Sequence, residues 1–207
     1  AKLNQAKGGG SLTALPIIET QAGDLTAYIP TNVISISDGQ IFMDTSLYLR
    51  DQRPEVNIGL SVSRVGSAAQ TKAIKKVAGK LKLELAQFRE LEAFLEFSEE
   101  VDVQTKKRLE RGKRMREILK QKERQPLSFE KITAIIFAGI KGFLDVLPLE
   151  NIRFFEEKFF EYLDLEKPAL LKNIREKKDL DEAMEKELEE AIKVVIKLNF
   201  QDAAESH

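Results

Sequence analysis

The chain has 207 residues, of which 43% are hydrophobic and 32% charged, and its formal net charge is −1. That composition belongs to a packed protein rather than a disordered one, and the near-neutral charge predicts no nucleic-acid partner and no general attraction to anionic lipid. There is no cysteine and one histidine, His207, which excludes disulfides, thiolate chemistry and a histidine-based catalytic or metal centre; no apolar run reaches the roughly 18 residues of a membrane span.

Taken in chain order, residues 1–66 are rich in Gly, Ser, Thr, Ile and Val in short apolar runs. SLTALPIIE (11–19) reads as a buried strand interrupted by Pro16. VISIS (33–37) reads as a second strand, followed by the turn signal Asp38-Gly39. QIFMD (40–44) and VNIGLSV (56–62) read as a third and a fourth, with short helical pieces at 23–29 and 45–49. Continuous apolar strands point to a sheet covered on both faces, as in α/β domains. This half is short for such a domain, and the expectation is the last part of a larger nucleotide-type domain; a small self-contained α+β domain is the alternative.

Residues 67–207 have a helical texture. Ile74, Val77, Leu81, Leu85, Phe88, Leu91 and Leu95 recur at three- and four-residue steps, with Ser67 placed to cap the start. Further helices are expected over 102–123, 128–147, 149–163, 168–175 and 181–198, each with one apolar stripe. The stripes are core packing rather than cofactor contacts. The expected fold class is therefore mixed: the end of an α/β nucleotide-binding domain over 1–66, followed by an all-α bundle over 67–207. The strong Lys and Glu bias of this half is a pattern also seen in heat-adapted proteins.

A chain that hydrolyses a nucleotide on its own needs a phosphate loop, whose backbone N–H groups and lysine meet the phosphates. Gly79-Lys80 and Gly112-Lys113 are followed by Leu81 and Arg114, and no glycine stands five residues before either lysine-preceding glycine; Gly8-Gly9-Gly10 has no lysine after it. No apolar strand ends in paired acids that would hold Mg²⁺, and Glu99-Glu100 reads as a solvated helix surface. The basic run from Lys106 to Arg116 is interrupted by Glu110 and lacks interleaved aromatics, so it reads as a solvated helix face rather than a single-strand RNA platform. Alone, this chain is expected to bind no nucleotide or Mg²⁺.

Arg64 is the residue left over. It stands in NIGLSVSRVGSAAQTK (57–72), among Gly59, Gly66, Ser67, Ala68 and Ala69. One reading of a strand-end arginine is a structural ion pair. The other is a guanidinium held rigidly where small neighbours let another chain approach, aimed at an anion, which describes an arginine finger.

At these residues the sequence becomes familiar. TALPIIETQAGDLTAYIPTNVISISDGQIF (13–42) and RPEVNIGLSVSRVGSAAQTKAIKKVAGKLKLELAQFRELEAF (53–94) closely resemble the alpha subunits of the F-type ATP synthase family. The match continues more loosely through LERGKRMREILKQ (109–121) to the end. The resemblance implies the end of the central nucleotide-binding domain plus the C-terminal helical bundle. It implies ATP or ADP with Mg²⁺ in the full complex. The implied partners are the beta subunit, the gamma central stalk, the delta or peripheral stalk and the remainder of the alpha subunit. Membrane contact is then indirect. The implied location is the cytoplasmic face of a bacterial inner membrane, or else the mitochondrial matrix side or the chloroplast stromal side.

The resemblance also carries residue roles. Arg64 matches the arginine that reaches the beta subunit's catalytic nucleotide. Ser35 and Gly39 match positions of the VISIT-DG motif at the same interface; here the motif reads VISIS-DG, and Ser37 keeps the hydroxyl of the usual threonine. Arg53, Pro54 and Gln121 match positions around the adenine of a noncatalytic nucleotide. The family often has a second glutamine where this chain has Glu123, and a carboxylate accepts but does not donate. The function implied is a noncatalytic, regulatory part of the alpha subunit that contributes Arg64 in trans. The alternative is a helical fragment that makes subunit contacts without a working catalytic interface.

Overall fold

The computed structural model describes residues 2–95 and 102–200. The Glu99-Glu100 pair and His207 lie outside the described residues. The chain divides into two compact units, residues 1–40 and 41–207.

In the first unit, Gly8, Gly9 and Gly10 all take positive φ, and the Leu3 N–H donates to the Gly10 carbonyl at 2.9 Å. Residues 12–20 contain no strand. The strand expected over 11–19 is thus not formed. Pro16 lacks the N–H that a ladder needs, and Leu15 and Ile17 are exposed. The VISIS segment is a second correction. It lies mostly inside helix α1, Tyr28–Ile36. Pro30 sits in the first turn of α1, where N–H groups have no intrahelical acceptor and proline is tolerated. A short apolar run does not distinguish strand from helix by periodicity; the placement of Pro30 does. The unit closes with the two-residue strand β1, Gly39–Gln40.

In the second unit the third and fourth expected strands shrink. QIFMD and VNIGLSV share one antiparallel bridge, Met43 to Val56, and VNIGLSV otherwise contributes only Val62 to the two-residue strand β2, Val62–Ser63. Helix α2, Thr45–Leu49, forms as expected, because Asp44 accepts from the Ser46 N–H and caps it. A single 3₁₀ turn, Gly66–Ala69, precedes α3, Lys72–Ala78. Thr71, not Ser67, caps α3, its hydroxyl accepting from the Ile74 N–H at 3.3 Å.

The helices that follow are α4, Leu81–Leu95; α5, Val103–Ile118; α6, Phe129–Ile140; α7, Ile152–Glu166; α8, Pro168–Lys177; and α9, Glu182–Asn199. Asp102 and Asp181 cap α5 and α9 through side-chain acceptance. The helix expected to run to Leu147 stops at Ile140. Gly142 then takes a left-handed conformation, φ +83°, and a 3₁₀ turn covers Phe143–Val146. The core is built from the expected stripes. Ile152, Phe155, Phe159 and Leu163 on α7 meet Leu188, Ile192 and Val195 on α9 in one buried cluster with Phe137, Leu144 and Ile174. Phe155 and Phe159 stack at 5.4 Å.

Candidate functional site

Arg64 directly follows β2 and precedes the 3₁₀ turn that begins at Gly66. Its side chain is exposed. Gly66 has φ +58°, and a methyl group built there would meet nothing within 4 Å. The positive φ explains why glycine stands there, and the open space leaves room for another surface beside Arg64.

The backbone leading to Arg64 is held by Asn57. Its Oδ1 accepts from the Gly59 N–H at 3.0 Å, the Leu60 N–H at 3.2 Å and Arg89 Nη1 at 2.9 Å. Its Nδ2 donates to Asp44 Oδ2 at 2.8 Å. The Asn57 N–H donates to the Phe42 carbonyl at 2.9 Å. Ser61 closes the turn: its N–H and hydroxyl both donate to the Asn57 carbonyl, and its Oγ accepts from the Phe42 N–H. Asp44 sits below the usual carboxylate range because the Ser46 hydroxyl donates to it, helped by Asn57 and by the nearby Arg89 charge against partial burial.

Ser35 and Gly39 belong to the first unit. The Ser35 hydroxyl donates to the Asn32 carbonyl at 2.7 Å on exposed α1. Gly39 has φ +146°, and the Ser37 hydroxyl donates to its carbonyl at 3.0 Å. The serine of VISIS thus ties the end of α1 to the start of β1.

Arg53 and Gln121 are brought together. The Gln121 N–H donates to the Arg53 carbonyl at 2.8 Å, just past the end of α5. The Arg53 guanidinium lies 4.2 Å from the Tyr48 ring centroid and 2.7 Å from Asp51 Oδ1. Pro54 follows through a cis bond. Gln121 Nε2 donates to the Gln125 carbonyl at 2.9 Å, and an amide nitrogen keeps a second hydrogen for another acceptor. Gln121 also lines a cavity of about 130 Å³ with Lys120, Lys122, Arg153, Glu156 and Phe160. Burial pushes the Glu156 carboxyl up, against the pull of Arg153. Among the described residues, no group of three His, Cys, Asp or Glu side chains converges to hold a metal ion.

Sequence reasoning missed Asn57, Arg89 and Asp44. The available signal was an Asn two residues before Gly59, the pattern of a side chain that closes a turn on following N–H groups. Arg89 carried no signal, because its contact with Asn57 spans 32 residues.

Comparison with known proteins covers most of the chain. The family model for the ATP synthase alpha/beta chain, C terminal domain, matches residues 70–195. That for the ATP synthase alpha/beta family, nucleotide-binding domain, matches residues 1–63. ATP synthase subunit alpha of Aquifex aeolicus (strain VF5) is 57% identical over 192 residues, which cover 93% of this chain and 38% of that protein. The chain therefore spans less than half the length of this curated relative. No helix among the described residues is long and apolar enough to cross a membrane.

Proposed function

We propose a function from one premise: the chain belongs to the ATP synthase alpha/beta family. It forms the C-terminal part of an alpha-type subunit, with residues 1–66 ending the nucleotide-binding domain and 67–207 forming the helical domain. The subunit is noncatalytic and regulatory. It supplies Arg64 in trans to the catalytic nucleotide of a neighbouring beta subunit during ATP synthesis and hydrolysis. The observation that carries this reading is the exposed Arg64 at the end of β2, beside open space at Gly66, on a backbone held by Asn57.

The chemistry asked of Arg64 is electrostatic. Phosphoryl transfer spreads negative charge over the equatorial oxygens of the transferring group, and a planar guanidinium meets two of them at once. Such a finger contributes roughly 10³–10⁵ in rate, about 4–7 kcal/mol of barrier. For Ser35 and Gly39 a supporting role rests on their match to the family motif. Mg²⁺ and the phosphate loop serving that catalytic nucleotide belong to the beta subunit. Arg53, Pro54 and Gln121 fit one side of an adenine site, since Gln121 retains an amide hydrogen and an acceptor oxygen beside the Arg53 backbone. When bound there, a noncatalytic nucleotide supplies occupancy rather than chemistry. The remaining partners are the gamma and delta or peripheral stalks and the rest of the alpha subunit, with the assembly peripheral to the cytoplasmic face of a bacterial membrane.

The test is Arg64→Ala, with Arg64→Lys beside it, in the assembled synthase. Steady-state hydrolysis should fall by ~10³-fold or more in the alanine variant, while nucleotide still binds the beta site. Lysine should not restore turnover, because it lacks the paired donors. Hydrolysis at the wild-type rate in Arg64→Ala would refute the assignment.

A further inference from the structure

We propose that Asn57 is a positioning residue for Arg64 and that Arg89 on α4 holds Asn57 in place; this rests on the trans-acting role of Arg64 above. Arg64 stands at the edge of an irregular stretch, with only the two residues of β2 immediately before it. Its aim is set by the 57–61 turn. That turn is organised around one carboxamide, which accepts from two backbone N–H groups inside the turn and from Arg89 Nη1, and donates to Asp44.

The charges around it are opposed. Arg89 faces the oxygen of the Asn57 amide and Asp44 faces the nitrogen, so the amide is oriented by a cation on one side and an anion on the other. An amide is the side chain of this length that accepts on one atom and donates on the other. Gly59 fits the same arrangement: a methyl group there would stand 3.1 Å from Arg89 Nη1 and 3.3 Å from Asn57 Oδ1, so a side chain at this position would crowd the Arg89–Asn57 contact. Through Arg89 the turn is fixed to α4, whose Leu81, Leu85 and Phe88 are buried. The position of the finger is thereby referenced to the helical core.

The experiment uses the assembled synthase. Asn57→Ala should lower kcat for ATP hydrolysis by ~10²-fold, the size expected of roughly an ångström of misplacement, with KM nearly unchanged. In an Arg64→Ala background, adding Asn57→Ala should cause no further loss, because the positioned group is already gone. The exchange Asp44→Asn with Asn57→Asp should recover most of kcat. It keeps an acceptor toward Arg89, Gly59 and Leu60 and a donor from position 44, and it avoids the two adjacent carboxylates of Asn57→Asp alone. Should Asn57→Ala fail to assemble, Arg89→Ala decides, with an expected loss of ~10-fold in kcat from the single lost contact. Additive losses in the double variant, or a wild-type kcat in Asn57→Ala or Arg89→Ala, would overturn the inference. If Arg64→Ala is impaired while these variants are not, the finger stands and only the positioning role falls; if Arg64→Ala is unimpaired, the finger reading itself falls.

Discussion

Gly112→Ala should destabilise the chain even though alanine is the better helix former. Gly112 is buried on α5. A Cβ there would lie 2.2 Å from Phe88 Cδ2, 2.4 Å from Cγ and 2.8 Å from Cβ, where carbon atoms normally stand about 3.5–4.0 Å apart. Two of these three atoms lie at the base of the phenyl side chain, so a turn of the ring does not clear them. Phe88 is 4% exposed and has nowhere to go, and the Arg116 guanidinium lies 5.2 Å from its ring centroid. The substitution gains about 1 kcal/mol of helix propensity. Against that, forced separation of α4 from α5 costs about 1–3 kcal/mol by overpacking, and the depth of the overlap puts this case at or beyond the upper end. The net expectation is a loss of about 2 kcal/mol, or roughly 4–8 °C in Tm for a chain of this size. Gly139→Ala is the internal control. Its Cβ would meet Met115 Sδ at 2.4 Å and Ile118 Cδ1 at 2.9 Å, the outer atoms of flexible side chains, so it should cost less. Thermal and urea unfolding of both variants followed by circular dichroism make the comparison. A Gly112→Ala protein as stable as wild type, or less damaged than Gly139→Ala, would refute the steric reasoning.

Two further outcomes are expected. Glu130 is buried at 1% exposure, and burial is the largest single influence, raising its carboxyl; hydrogen bonds from Arg175 (2.8 Å from Nε), from its own backbone N–H and from Ser128, with the Arg175 charge, together exceed it and hold the group below the ordinary value. A depressed folded pKa contributes stability above the unfolded carboxylate pKa and loses it as pH falls through the folded value, so Glu130→Gln should flatten the fall of unfolding free energy with acid; an unchanged slope counts against it. Glu123, 85% exposed and 3.3 Å from Arg124, offers adenine no donor. Glu123→Gln should tighten nucleotide retention at the noncatalytic site by ~5-fold, about 1 kcal/mol, and equal retention in filter-binding measurements would discount contact at this position.

The helical half was legible because its signals are local. Asp181 caps α9 and Met184, Leu188, Ile192 and Val195 are buried along it, as spacing and capping chemistry indicate. Where the reading slipped, the deciding interaction was either a competing cap or backbone geometry. Thr71 rather than Ser67 starts α3, and Gly142 breaks a stripe whose periodicity continues past it. The first half was less legible because a strand buried on both faces is defined by its neighbours, and runs such as VISIS have the composition of either element. Arg64 stood out from its small neighbours, but on the residues alone an ion pair was the better reading, and the finger reading came from the family resemblance. The Asn57–Gly59 spacing signalled a turn, but the tie from Asn57 to Arg89 spans 32 residues and was out of reach of sequence reasoning.

These features fit together as a mechanical requirement. In the role proposed for it, Arg64 must present its guanidinium at a fixed place, and an arginine side chain carries about 2 kcal/mol of rotamer entropy. The backbone beneath it therefore has to be fixed by other means. Before Arg64, the Asn57 amide fixes it to α4. After Arg64, Thr71 caps α3 and the Ala73 N–H donates to the Lys178 carbonyl at 3.1 Å. That bond joins the start of α3 to the left-handed residue that ends α8, while α3 packs against α6. The segment from Asn57 to Ala73 is thus pinned at both ends to helices with buried faces, although little of it is regular structure. Movement of α4 or α8 is thereby linked to the backbone on either side of Arg64, and in the role proposed for Arg64 the helical half serves as its reference frame.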